Sequence, residues 1–192
     1  MSMVWRCQGR EQILQVMDAA LAYMAKYRQL DAKATEAGGQ LFGTVSADSV
    51  SVVKVTGPYA GDDRTRYRYR SDPRAAQRAI TVQARAGLLY LGEWHTHAED
   101  HPTPSTHDTA AIISLRERST LNTTSMLLVI VGRTTSPDGL RVCSFSGQGK
   151  IDWFHDNQPP AVGFLSGAIG APVHSPSVNS GLRIGDPDPF LT

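Results

Sequence analysis

The chain has 192 residues, 41% of them hydrophobic and 19% charged, with a formal net charge of +1. That suits one globular domain with a packed core and gives no whole-protein case for binding nucleic acid or an acidic membrane surface. No apolar run approaches the about 20 residues that span a bilayer, and the opening MSMVWRCQGREQ lacks a secretory apolar stretch, so a cytoplasmic protein away from the membrane is expected.

Glu11 to Leu30 reads as a helix, because Ile13, Leu14, Met17, Leu21 and Met24 recur at three- and four-residue intervals. Gln40 to Val55 reads as a hairpin. Leu41, Phe42 and Val45 lie on its first strand, Ser46 to Ser49 form the turn, and Val50 to Val55 form the return strand. Gly57-Pro58 ends it. Arg64 to Arg70 alternates Arg with Thr or Tyr, which is the period of a strand with polar faces.

Pro73 to Ala86 predicts a helix with Pro in its first turn and Gly87 at its end. Leu88 to Trp94 predicts a short strand, and a helix begins near Thr103-Pro104 and runs to about Ser119. Met126 to Gly132 is continuously apolar, as in a buried central strand. Leu140 to Ser146 and Ile151 to Phe154 complete the strands. Cys7 and Cys143 form no C-x-x-C pair and read as free thiols. From 157 to 192 Pro, Gly, Ser and Asn dominate, so a domain over 1–156 is expected to carry an irregular tail. The expected fold is α/β: a single layered domain with a mixed, mainly antiparallel sheet flanked by helices.

The chemistry concentrates between Gly92 and Asp108. His95 and His97 are two apart at the end of a predicted strand, so both imidazoles leave the same face. Two converging imidazoles suit zinc. Asp108 follows on the first turns of the next helix, where Ser105 shares its face. Two histidines and one carboxylate leave a fourth position for water, as a catalytic zinc requires. Ser105-x-x-Asp108 also reads as a capping box. Hydrolysis needs a base as well, and Glu36 is the candidate, just before the first strand of the hairpin. His101 and His107 lie off this pattern and read as solvated side chains or as supports around the ligands. Glu99 and Asp100 are too close along the chain to His97 to be preferred as ligands.

His95-x-His97-x7-Ser105-x2-Asp108, with upstream Glu36-Ala-Gly-Gly-Gln-Leu-Phe-Gly43, resembles the signature of the JAMM (MPN+) zinc metalloproteases, whose fold is cytidine-deaminase-like. The resemblance runs from about Glu11 to Phe154. It implies one catalytic Zn2+ held by His95, His97 and Asp108. It implies Glu36 as general base toward the zinc-bound water and proton donor to the leaving amine. Ser105 would hydrogen-bond that water or the oxyanion. Thr96 and Ala98 stand where many members carry Ser and Pro.

The same blocks most resemble bacterial peptidases of antiphage systems, which act beside E1- and E2-like proteins. That likeness implies a deubiquitinase-like isopeptidase. Its substrate would be a conjugate of a ubiquitin-like protein, or of the C-terminal peptide of a nucleotidyltransferase (CD-NTase); the sequence does not separate the two. Arg64, Arg66 and Arg68 are candidates for a surface that contacts the substrate protein. Two other readings exist. A zinc deaminase needs His-x-Glu together with Pro-Cys-x-x-Cys, a combination the chain lacks. A non-catalytic MPN scaffold would lack the ligands, which the chain keeps.

Overall fold

The computed structural model describes residues 1–9 and 11–156, so the expected tail at 157–192 lies outside the described residues. The strands are β1 (Ser2–Arg6), β2 (Ile13–Met17), β3 (Gly38–Val45), β4 (Ser49–Val55), β5 (Asp63–Arg64), β6 (Tyr69–Arg70), β7 (Leu89–Thr96), β8 (Ser125–Val131), β9 (Leu140–Ser146) and β10 (Gly149–His155). The helices are α1 (Asp18–Ala25), α2 (Pro73–Arg85) and α3 (Thr106–Arg118). The sheet is mixed and mainly antiparallel, as expected, but it does not stay open between flanking helices. It closes into a barrel in the order β1-β10-β9-β8-β7-β3-β4-β2. Only the β2–β4 and β7–β8 junctions are parallel.

Closure depends on β2, which the helical reading of Glu11 to Leu30 hid, and on β1, which the sequence pattern did not predict. Ile13 to Met17 is a strand, and the helix begins only at Asp18. Both periods fit Ile13-Leu14-Gln15-Val16-Met17, but Leu14 and Val16 alternate into the core, and partners decide the matter. β2 pairs with β1 along five residues on one side and with β4 on the other. Beyond Met17, four alanines with Leu21 and Met24 favour a helix. The Arg64–Arg70 run is likewise not one strand. Asp63–Arg64 and Tyr69–Arg70 pair with each other, and residues 65–68 turn between them.

Every barrel strand contributes to one cluster, which places that cluster inside. It holds Trp5, Leu14, Val16, Leu41, Val52, Leu91, Trp94, Val129, Val142 and Trp153, with Leu21 and Met24 of α1 packed among them. The second cluster lies on the outer face of β3, β7, β8 and β9, where Ile80 of α2 and Ile112 of α3 cover Phe42, Tyr90, Leu128 and Ile130.

β7 changes phase along its length. Leu91 and Trp94 both belong to the inner cluster although they are three apart, and Tyr90 belongs to the outer one. The irregularity is a bulge: Phe42 pairs with Tyr90 while its neighbour Leu41 pairs with Gly92, leaving Leu91 as the extra residue. Gly92 takes φ 146, and a Cβ there would collide with the Leu127 backbone. Past the bulge, Glu93, His95 and His97 alternate with inward Trp94 and therefore lie on the outer face.

Candidate metal centre

Three elements deliver the site. β7 carries His95, which pairs with Ile130 in the middle of the outer apolar face. His97 follows the strand and is anchored by its own N–H to the Val131 carbonyl at 2.9 Å. α3 is capped by Ser105, whose Oγ accepts from Asp108 N at 3.1 Å, while Asp108 Oδ2 accepts from Ser105 N at 2.7 Å. The capping box read in the sequence is thus present, and it turns the Asp108 carboxylate toward the histidines. Ser105 Oγ also donates to Asp108 Oδ2 at 2.6 Å.

His95 Nε2 and His97 Nε2 are 3.0 Å apart. Asp108 Oδ1 is 3.3 Å from His95 Nε2, and Asp108 Oδ2 is 3.3 Å from His97 Nε2. Ligands bound at about 2.0–2.1 Å around a tetrahedral zinc stand about 3.3–3.4 Å apart, so the donors match such an ion in type and spacing. Both histidines are buried, at 7% and 8% exposure, which favours neutral imidazoles over hydrated ones. Among the described residues, His95, His97 and Asp108 form the cluster able to hold a metal.

The electrostatics differ between the two rings. Burial pushes the His95 pKa down, and this outweighs its hydrogen bond to Asp108, so the ring stays neutral as a ligand must be. Burial opposes charge on His97 too, but Asp108, Glu36 and Glu99 around it together raise its pKa. Burial alone would raise the Asp108 pKa, yet its hydrogen bonds to His95 and then His97 hold the carboxyl far below the usual carboxylate range.

Glu36, only 5% exposed, places Oε1 4.0 Å from His97 Nε2. That is beside the three donors rather than among them, within reach of a water they would share. Burial pushes its pKa up to about 7; the His97 charge opposes the shift, and Asp108 and Glu99 add to it. A carboxylate so tuned accepts and returns a proton near neutral pH.

This arrangement of two buried imidazoles, one carboxylate and a neighbouring glutamate spans residues 36 to 108. Residues 19–143 match the family model described as prokaryotic homologs of the JAB domain. The chain belongs to this family. A Vibrio cholerae protein named CD-NTase/cGAS isopeptidase is 37% identical over 123 residues, covering 62% of this chain and 75% of that protein. A Pseudomonas aeruginosa protein of the same name is 31% identical over 152 residues, covering 77% and 93%. A solution structure of a Desulfitobacterium hafniense protein superposes with TM-score 0.54 at 20% identity, covering 71% of this chain and 87% of that one, which supports the fold alone.

Within this JAB domain, residues that the sequence left open find other employment. His101 Nδ1 faces the Asp138 carbonyl at 3.1 Å, and His107 is exposed on α3. Asp100 pairs with Arg133. Glu99 Oε2 lies 3.9 Å from His97 Nδ1, on the far side of the ring from the converging nitrogens, so it is placed to orient the ring rather than to bind metal. The three candidate substrate arginines all contact their own chain. Arg64 Nε donates to the Glu36 carbonyl, Arg66 Nη1 donates to the Asp31 and Ala32 carbonyls, and Arg68 pairs with Asp63. Sequence reasoning gave Thr96 no role. It is fully buried, its Oγ1 accepts from Ala37 N at 2.9 Å, and its N–H donates to the Ala37 carbonyl at 2.8 Å. Its position between the two histidines was the available signal.

Proposed function

We propose that this JAB domain is a zinc-dependent isopeptidase of bacterial antiphage defence. It would release the C-terminus of a CD-NTase from a target lysine or peptide, the conjugates being made by E1- and E2-like proteins. The observation that carries the reading is the convergence of His95, His97 and Asp108 beside a buried glutamate of raised pKa. The names of the two bacterial relatives favour a CD-NTase over a ubiquitin-like protein as the conjugate.

His95, His97 and Asp108 would hold zinc. A zinc ion there would supply Lewis acidity, enough to make an attacking water acidic near neutral pH and to polarise the scissile carbonyl. Glu36 Oε1 takes the proton of the attacking water and then delivers it to the leaving amine, a role that suits a pKa of about 7. Ser105 donates to the substrate oxygen as negative charge develops on it. Its hydroxyl is free to turn, because Asp108 Oδ2 keeps the Ser105 N–H when Oγ leaves.

The test uses a CD-NTase carrying a reporter protein fused to its C-terminus, with a ubiquitin-like protein fused in the same way as comparison. The zinc-loaded protein should cut the first fusion at its junction. Glu36→Gln should lose about 10²–10⁴-fold in rate with zinc content unchanged. Wild-type rate in Glu36→Gln would remove Glu36 as the base. Failure of the zinc-loaded protein to cut either fusion would remove the isopeptidase reading.

A further inference from the structure

The segment that carries Glu36 belongs to no helix, and β3 begins only at Gly38. Its carboxylate can therefore be no better placed than its backbone. Two consecutive residues there are held from opposite sides. On one side, β7 holds Ala37 through both the N–H and the Oγ1 of Thr96. On the other side, the β5–β6 hairpin holds Glu36. Glu36 N donates to the Thr65 carbonyl at 2.7 Å, and Arg64 Nε donates to the Glu36 carbonyl. The hairpin is seated firmly against this point. A Cβ on Gly38 would come within 2.5 Å of the Tyr69 ring, and Arg66 ties the hairpin turn to the carbonyls of Asp31 and Ala32 upstream.

We infer that Arg64 is a positioning residue, whose guanidinium fixes the Glu36 peptide and thereby the carboxylate beside His97. Its part is through the backbone of the base, and it touches neither substrate nor metal ligands. This rests on the reading of Glu36 as base, and it reassigns Arg64 from the substrate-contacting surface suggested by the alternating arginines. A guanidinium suits this role because it is always charged and binds a carbonyl in a fixed plane. A displacement of about 1 Å at a reacting group can cost about 10²-fold in rate.

The test joins kinetics on the CD-NTase reporter fusion with hydrogen exchange of the zinc-loaded protein alone. Arg64→Ala should lower kcat by about 10–100-fold while KM stays within about twofold and zinc content is unchanged. Arg64→Lys, which keeps a cationic donor, should recover part of the loss. Amides of residues 35–38 should exchange faster in Arg64→Ala than in wild type, without substrate. A rise in KM with kcat preserved would mean that Arg64 docks substrate, and the inference fails. Unchanged exchange at 35–38 overturns it as well. If Arg64→Ala does not fold, Arg64→Lys and Arg64→Gln carry the same comparison, with lysine expected to outperform glutamine and equality counting against the inference. Should Glu36→Gln cleave at the wild-type rate, the base reading fails on its own, and the exchange data still decide whether Arg64 holds the segment.

Discussion

Ser105 has two employments that different measurements separate. Its Oγ accepts from Asp108 N as the cap of α3 and donates to Asp108 Oδ2. Ser105→Ala removes both bonds, while Asp108 Oδ2 still holds the Ser105 N–H. Loss of such a cap costs about 1 kcal/mol, within a range of about 0.5–2. In a domain of this size that lowers Tm by about 2–4 °C. Loss of an oxyanion donor costs far more where it acts, about 2.7–4 kcal/mol of barrier, or about 10²–10³-fold in kcat. A third effect must be held fixed, because freeing a ligand carboxylate from its orienting partner weakens metal affinity by about 10–100-fold. The assay therefore measures kcat on the CD-NTase reporter fusion at saturating zinc, with Tm recorded on the same samples. The expected result is a small drop in Tm beside a large drop in kcat, with Ser105→Thr retaining most of both. A kcat within about threefold of wild type, accompanied by the Tm loss alone, would make Ser105 a helix cap and nothing more.

Chelation should abolish cleavage and lower Tm by roughly 8–16 °C, since an ion at about a thousand times its Kd stabilises by about 4 kcal/mol; equal melting with and without chelator, across a zinc titration, would contradict the ligand set. Gly92→Ala should destabilise by at least about 2 kcal/mol in a urea titration, because its Cβ meets the Leu127 backbone and its φ of 146 disfavours a side chain. Cys143 is fully buried, and burial pushes its thiol up to about 12, so iodoacetamide should modify it only in denaturant, as peptide mass spectrometry would read. The same shift raises a folded-state pKa above its unfolded value of 9.0, so its contribution is complete below pH 9 and is lost as pH rises toward 12; Cys143→Ala should flatten that alkaline fall in stability.

Local patterns carried most of the site and part of the fold. His95-x-His97 at a strand end and Ser105-x-x-Asp108 at a helix start each depend on neighbours within one element, so spacing alone placed them. The helix over Pro73–Arg85 has its own signals too: Pro73 in the first turn, and Asp72 accepting from the N–H groups of Arg74 and Ala75. What failed depended on distant partners. Ile13 to Met17 becomes a strand because β1 and β4 lie on either side of it, and Ser2 to Arg6 shows no readable alternation, with Trp5 its one buried residue. Barrel closure follows from those same pairings, including the two-residue contact of β1 with β10. The arginines of residues 64–68 alternate as in a strand, yet their shared feature is the oxygens of their own chain that they satisfy.

The orientation of the histidines was written in the sequence in a form that simple alternation misses. Leu89, Leu91 and Trp94 face the barrel core, and the last interval is three residues instead of two. Strict alternation from Leu91 would send Glu93, His95 and His97 inward and Trp94 outward. That would bury a carboxylate and two imidazoles among the apolar side chains of Leu127, Val129 and Val131, where each would carry a desolvation cost of several kcal/mol. The extra residue at Leu91–Gly92 reverses the phase. Trp94 then goes to the core, where it meets Tyr23 edge-on and Tyr27 at a tilt, and the histidines turn to the face on which α3 presents Asp108. Glu93 gains the same benefit, accepting hydrogen bonds from Gln40 and Tyr90 on the outer face. The bulge therefore shapes the candidate metal centre although Gly92 touches none of its atoms. Gly92→Ala, which strains the bulge, should therefore cost metal binding along with folding, whereas Asp108→Asn should cost metal binding and leave most of the fold.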